Sequence, residues 1–341
     1  MTSCRVVSTG ALPDWVQDEL GNRFQLVVSD SPDPSRVREM LDERVAAIIA
    51  RSSTPVRAEM IQAAVNLRAI GRTGVGYDSI DVQAATRRGI AVLYTPDALT
   101  RPTAEHTVAL ILGCAKQLRL WQQLAQQGKW QQRNRLLNRD LQGAVLGIVG
   151  LGRIGREVHK LLQPFEMKVL ACDPLLDPGS FAKLGVQPVS LGELLSRSDI
   201  ITLHAPLTET TRGLIHSGNI GTIRAGAILI NAARGGLVES NAILWEALQS
   251  GRLAAVGLDA LEEEPPELSD PLLSHPRALI TAHVGSRTSL AQETVLRTLL
   301  GDLKAVLKGE APTRGNLVNP EWERFHAETQ RRGVRREEKK R

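Results

Sequence analysis

Aromatic side chains are scarce: five Trp, four Phe and two Tyr in 341 residues. The cores must therefore be built mainly from aliphatic residues. Cysteine is scarcer, and Cys4, Cys114 and Cys172 are far apart. That spacing excludes a disulfide framework or a metal knuckle and suits a reducing cytoplasm. No metal site is expected. Cys114 and Cys172 lie in apolar runs and are expected to be buried. No apolar run approaches the roughly 18–20 residues of a membrane helix. The first residues, MTSCRVVSTG, lack a charged segment followed by an apolar one, so no signal peptide is expected. An excess of one charge is also missing from most of the chain. The net charge is +5, but residues 321–341 hold eight Lys/Arg and five Asp/Glu. The other 320 residues therefore carry only +2, which weighs against nucleic acid as a partner. Residues 321–341 are expected to form a solvated, disordered tail.

What is present is organised around Val145–Asp173, VLGIVGLGRIGREVHKLLQPFEMKVLACD. An apolar run of strand length ends in Gly150-Leu151-Gly152-Arg153-Ile154-Gly155, a G-x-G-x-x-G turn. Val158, Leu161, Leu162 and Phe165 follow at helical spacing. A second apolar run, Lys168–Cys172, ends in Asp173. Gly150 permits the turn, Gly152 lets a pyrophosphate approach the backbone, and Gly155 lets helix and strand pack closely. The phosphates would meet unpaired N–H groups at the helix N-terminus. Asp173 can accept hydrogen bonds from a ribose 2′-OH and repels a 2′-phosphate, which favours NAD over NADP. The alternative is a Gly-rich turn that binds nothing; the flanking strands, helix and acid oppose it.

The length suggests about two domains. Before the dinucleotide unit, strands are expected at 5–8, 24–28, 46–50, 67–71 and 90–94. Helices are expected between them at 13–20, 35–42, 57–64 and 80–87. Alternating strands and helices imply a parallel sheet covered on both faces, with ligands outside the carboxyl ends of the strands. Two such ends stand out: Arg51-Ser52-Ser53-Thr54, and the Gly-rich stretch Gly71–Asp78, whose N–H groups could cradle an anion. A plain Gly-rich loop is the alternative for the second. A helix is expected at Thr103–Trp121, apolar around most of its circumference and so buried by its own domain or by a partner. Residues 128–139 read as a loop anchored by Trp130. After Asp173, strands are expected at 200–204, 227–231, 254–258 and 278–281. With the first two they make six, the number in a full dinucleotide-binding sheet. Ser190-Leu191-Gly192-Glu193 reads as a capping box. A helix is expected at 240–250, and Ser289 is expected to cap a last long helix ending near Lys308. Val318–Pro320 is expected to end the ordered chain.

Arg234, Glu264 and His283 each follow a strand of the second unit, on the edge that would hold the cofactor. A histidine can move a hydroxyl proton. A carboxylate on its other nitrogen fixes the tautomer and stabilises the charged ring. An arginine can grip a substrate carboxylate in a planar fork. Singly, each could be a surface Arg, an acidic loop or a hydrogen-bonded His; their joint placement favours a site.

From about Arg5 to Pro320 the chain resembles the D-2-hydroxyacid dehydrogenases. The matching motifs are 74–78 (GVGYD), 103–105 (TAE), 150–155 (GLGRIG), 204–208 (HAPLT), 231–236 (NAARGG), 258–265 from Leu258-Asp259 to Glu264-Pro265, and 283–285 (HVG). The resemblance implies two doubly wound parallel-sheet α/β domains. One is a Rossmann NAD-binding domain (100–286). The other is a flavodoxin-like substrate-binding domain (1–99, completed by 287–320). It implies Arg234, Glu264 and His283 as the catalytic set. It implies NAD contacts from Gly150, Gly152, Arg153, Ile154, Gly155, Asp173, His204, Pro206, Thr211, Ala232, Asp259 and His283. Asp259 is expected beside the nicotinamide amide and Pro206 near the adenosine. The backbone N–H groups of Val75 and Gly76 are expected to meet the substrate carboxylate. A homodimer through helix 103–121 is implied as well. Within the family the chain looks most like phosphoglycerate dehydrogenases, because Arg51-Ser52 and Gly128-Lys129-Trp130 match that subgroup. This implies 3-phosphoglycerate and 3-phosphohydroxypyruvate, on the route to serine, as substrates. Regulatory domains beyond Pro320 are not expected.

Ser79 and Tyr94 stand where the family usually has Asn, and Ala282 where it has Pro. The first two lie near the substrate loops and leave the substrate open. The second reading is a glyoxylate or hydroxypyruvate reductase with the same catalytic set. A third is an NAD-sensing binding protein resembling the C-terminal-binding-protein corepressors; no partner motif favours it.

Overall fold

The computed structural model describes residues 4–51 and 54–325. Ser52 and most of the expected tail, 326–341, lie outside the described residues. The chain divides into two compact units: Thr100–Arg287 forms one, and the segments on either side of it form the other.

The first unit holds five strands: β1 (Cys4–Ser8), β2 (Phe24–Val28), β3 (Val45–Ala50), β4 (Ala69–Arg72) and β5 (Ala91–Leu93). All pair in parallel in the order β2-β1-β3-β4-β5. That is the flavodoxin-like arrangement. β3 is buried along its whole length. Both of its faces are covered, so it reads as a continuous apolar run rather than an alternating one. Ile48 packs into the cluster on one face and Ile49 into the cluster on the other. Burying each stabilises the fold by about 1.5–3 kcal/mol. The helix Ser289–Lys308 lays Leu296, Leu299, Leu300 and Leu303 on the second face. Its cap is Thr288, whose side chain accepts the Ala291 N–H; Ser289, the expected cap, is already helical. Asn319 is buried and bridges Val92 N, Ile90 O and Thr86 Oγ1. Order continues past Pro320, since Trp322 is 6% exposed in the same core.

The second unit holds seven parallel strands: β6 (Val145–Val149), β7 (Lys168–Cys172), β8 (Gln187–Pro188), β9 (Ile200–Leu203), β10 (Ala227–Asn231), β11 (Leu253–Leu258) and β12 (Ala278–Ile280). Their order is β12-β11-β10-β9-β6-β7-β8. This contains the dinucleotide-binding order 3-2-1-4-5-6, extended by one strand. The six expected strands are present. The two-residue β8 was too short to show a periodicity.

Three further expectations need correction. The single helix Thr103–Trp121 is two helices, Pro96–Ala115 and Leu118–Gln126, separated at Gln117 with φ +50°. Pro102 looked like a helix start because proline favours the first turn; the helix begins a turn and a half earlier, at Pro96. The first of the two buries Ala104, Leu110, Ile111, Cys114 and Ala115 in its own unit, whereas the second has no buried residue. Trp130 is not an anchor: it is 66% exposed on a short 3-10 turn. Cys172 is half-buried, because it ends β7 at the open edge of the sheet, while Cys114 is buried. Among the described residues no helix is long and apolar enough to cross a membrane.

Candidate active site

The turn after β6 is built as its glycines require. Gly150 has φ +88°, a conformation that side chains disfavour. A Cβ on Gly155 would strike the Gly150 carbonyl. The strand and the helix Arg153–Leu162 thus meet at backbone distance. A Cβ on Gly152 would meet nothing within 4 Å, so the turn is open on the side a pyrophosphate would approach. Arg153 is exposed, and Ile154 packs inward against the core. Asp173 stands at the tip of β7. Its Oδ2 accepts Leu151 N–H at 2.8 Å and its Oδ1 accepts Leu175 N–H at 3.0 Å. The carboxylate is fixed beside the turn, and each oxygen keeps capacity for a ribose hydroxyl. The open glycine turn, the helix N-terminus and the fixed acid fit an adenine dinucleotide.

The ends of β9 and β10 lie on the same edge. His204 N–H donates to Val149 O, and its Nε2 is 2.9 Å from Thr202 Oγ1. Burial pushes the His204 pKa down to about 4, so the ring is neutral at pH 7. Thr211 donates its hydroxyl to Pro206 O at 2.6 Å and accepts Thr208 N–H, which shapes the loop after β9. Ala232 is half-buried just beyond β10.

Glu264 and His283 meet directly. Glu264 Oε2 is 2.8 Å from His283 Nδ1, and Glu264 Oε1 accepts Leu261 N–H at 3.0 Å. A charged carboxylate only accepts, so Nδ1 carries the proton and Nε2 is the nitrogen left for a substrate. Burial raises the Glu264 carboxyl, but the His283 hydrogen bond and charge, with the Leu261 N–H, outweigh it and hold it below the usual range. His283 sits in the left-handed region at φ +52°. Its N–H donates to Asp259 O at 2.9 Å. Asp259 is 3% exposed, and its carboxylate accepts Thr281 Oγ1–H, Val284 N–H and Gly285 N–H. Burial raises the Asp259 carboxyl, and the nearby His106 together with the Thr281, Val284 and Gly285 donors reverses that and holds it far below the usual range. Arg234 joins this cluster through its loop. Asn231 Nδ2 donates to Arg234 O, and Gly235 lies so close to the Leu261 carbonyl that a Cβ would not fit.

The first unit carries the other expected residues. Arg51 follows β3, and its N–H donates to Thr9 Oγ1 at 2.9 Å. Val75 and Gly76 are half-buried in the loop after β4. Arg72, at 8% exposure, holds that loop from behind: its Nε donates to Gly76 O at 2.8 Å and its Nη1 to Ala50 O at 3.3 Å. Tyr94 meets Tyr77 edge to face, ring centroids 5.8 Å apart. Sequence reading missed Arg72 and also His106, whose Nε2 is 2.9 Å from Thr281 Oγ1. An arginine closing an apolar strand was the available signal for the first. His106 offered none, since its partner is 175 residues away.

Residues 108–285 match the model of the D-isomer specific 2-hydroxyacid dehydrogenase NAD-binding domain. The chain is 43% identical over 273 residues to a D-3-phosphoglycerate dehydrogenase of Archaeoglobus fulgidus, covering 80% of this chain and 51% of that protein. It thus spans about half the length of that relative. It is 39% identical over 279 residues to a hydroxypyruvate reductase of Thermotoga maritima, covering 81% of this chain and 89% of the relative. Among solved structures, the D-lactate dehydrogenase of Aquifex aeolicus in complex with NAD and lactic acid superposes with a TM-score of 0.83 at 29% identity. The match covers 92% of this chain and 98% of that one.

Proposed function

The chain belongs to the D-isomer specific 2-hydroxyacid dehydrogenase family, and we propose that it interconverts a small D-2-hydroxy acid and its 2-keto acid with NAD. The observation that carries this reading is the Glu264–His283 contact on the same edge of the sheet as the dinucleotide turn. Gly150, Gly152, Arg153, Ile154 and Gly155 would hold the pyrophosphate, and Asp173 the adenosine ribose. Bound nicotinamide supplies or accepts the hydride. His283 Nε2 gives the proton to the keto oxygen in reduction and takes it back in oxidation. Glu264 stabilises the charged ring, and Arg234 grips the substrate carboxylate. To the first unit we assign substrate contacts of its own: Val75 and Gly76 N–H groups for a carboxylate, and Arg51, with Ser52, for a phosphate.

The substrate pair we favour is 3-phosphoglycerate and 3-phosphohydroxypyruvate, on the route to serine, supported by the Archaeoglobus relative and by Arg51. The Thermotoga relative supports a second reading, reduction of hydroxypyruvate or glyoxylate. We also propose a homodimer. Helix Leu118–Gln126 has no buried residue, and Leu118, Trp130 and Leu137 are 57%, 66% and 88% exposed nearby in the chain. Such concentrations of exposed apolar side chains mark interfaces. Three free cysteines support a reducing compartment, the cytoplasm. The deciding experiment is a panel of 3-phosphohydroxypyruvate, hydroxypyruvate, glyoxylate and pyruvate, each with NADH and NADPH. The highest kcat/KM is expected for 3-phosphohydroxypyruvate with NADH. No oxidation of either cofactor by any of the four would sink the assignment.

A further inference from the structure

The segment His283–Gly285 is pinned to one residue, Asp259. Asp259 Oδ1 accepts Val284 N–H and Asp259 Oδ2 accepts Gly285 N–H, both at 2.8 Å. The Asp259 carbonyl accepts His283 N–H. Asp259 is itself held from the other side. Thr281 donates its hydroxyl to Oδ1 at 2.6 Å. His106 Nε2 lies 2.9 Å from that hydroxyl oxygen and 3.3 Å from Oδ1. A hydroxyl has one proton, and here it goes to the carboxylate, which only accepts. His106 Nε2 must therefore be protonated and donate to Thr281. The result is a directed chain, His106 to Thr281 to Asp259 to the backbone that carries His283. It is tightly packed: a Cβ on Gly285 would lie 2.8 Å from Asp259 Oδ2 and 3.3 Å from His106 Cδ2. His283 needs such support, because its left-handed backbone is retained only where the surroundings impose it.

From this geometry we infer that Thr281 and His106 are positioning residues: through Asp259 they hold the His283 backbone where its imidazole meets the substrate. The inference rests on the reading of His283 as the acid–base group. Neither residue touches the reacting atoms. Their effect on rate comes from orientation, where a displacement of about 1 Å can cost on the order of a hundredfold.

Two substitutions at one position separate orientation from packing. Thr281→Val keeps the shape and removes the hydroxyl. Thr281→Ser keeps the hydroxyl and removes the methyl group. With the best substrate of the panel, Thr281→Val should lower kcat by about tenfold to a hundredfold, while Thr281→Ser stays close to the wild type. His106→Leu should behave like the valine variant and His106→Gln, which retains an N–H donor, like the serine variant. In a His283→Ala background, Thr281→Val should cost nothing further, because the residue it serves is gone. Hydrogen–deuterium exchange at the Val284 and Gly285 amides reads the same positioning without turnover. It should quicken in Thr281→Val and not in Thr281→Ser. Unchanged exchange in the valine variant, or a serine variant as impaired as the valine one, overturns the inference. A wild type inactive on every 2-keto acid overturns the functional reading alone; the exchange comparison still decides the positioning.

Discussion

The Nδ1 atom of His283 lies 2.8 Å from Oε2 of Glu264, with the two side chains 47% and 39% exposed. The pair is near enough to the surface for substrate to reach it and close enough for the carboxylate to fix which ring nitrogen carries the proton. In the native protein Glu264 is held ionised: burial works against this, and the His283 contact and Leu261 N–H prevail. Its folded value is depressed, so its contribution to stability is present above the unfolded value near pH 4.3. That contribution is lost as the pH falls through the folded value.

Glu264→Gln removes the charge and keeps the shape. The amide still accepts the Nδ1–H but carries no charge, so a charge-assisted hydrogen bond becomes an ordinary one. The kcat for reduction should fall by about tenfold, near the difference of about 1–1.5 kcal/mol between hydrogen bonds to charged and to neutral acceptors, while the KM for NADH hardly changes. A kcat identical to the wild type would show that the carboxylate does not act on the ring.

Asp173 offers a second test, with a complication visible in the structure. Its carboxylate accepts Leu151 N–H and so also supports the turn. Asp173→Ala should weaken binding of NAD and NADP alike through the turn. It should weaken NAD further through the lost ribose contact, and relieve the repulsion felt by a 2′-phosphate. A hydrogen bond to a charged group contributes about 1.5–3 kcal/mol, so the KM ratio of NADP to NAD should narrow by about tenfold or more. Parallel loss of both cofactors, with the ratio unchanged, would leave Asp173 a purely structural role.

Much of this was legible in the chain, for local reasons. Gly150 is demanded by its own backbone conformation and Gly155 by the Gly150 carbonyl five residues away, and Ser190–Glu193 forms its capping box within one turn. Glu264 and His283 could be placed at strand ends, because their strands are apolar runs of the right length. Their direct contact is a tertiary fact, as is the network of Asp259, Thr281 and His106. The break at Gln117 had no Gly, Pro or Asn to announce it. The helix Pro178–Leu184 did have a signal that was overlooked: Asp177 caps it and proline takes its first position. Arg72 showed only as an arginine at the end of an apolar strand; the carbonyls of Ala50 and Gly76 that it meets carry no sequence signature.

Substrate choice turns on Arg51. The residue follows β3, the central strand of the first unit, and its backbone is tied to Thr9. Its stem packs over Gly10, where a Cβ would come 3.6 Å from Arg51 Cβ and Cγ. In the proposed function the N–H groups of Val75 and Gly76 take the carboxylate, and Arg51, after a neighbouring strand of the same sheet, takes the opposite end of the substrate. A guanidinium suits a phosphate, because its planar fork makes paired, charge-assisted hydrogen bonds. Arg51→Ala should then raise KM for 3-phosphohydroxypyruvate by about tenfold to a hundredfold, from the loss of about 1.5–3 kcal/mol per charged hydrogen bond. Turnover of glyoxylate, which has no phosphate, should hardly change. Arg51→Lys should recover part of the loss, since the charge returns without the fork. Equal losses on both substrates would mean that Arg51 supports the loop rather than the ligand. A wild type that turns over glyoxylate and hydroxypyruvate but no phosphorylated acid would instead move the assignment to the reductase reading.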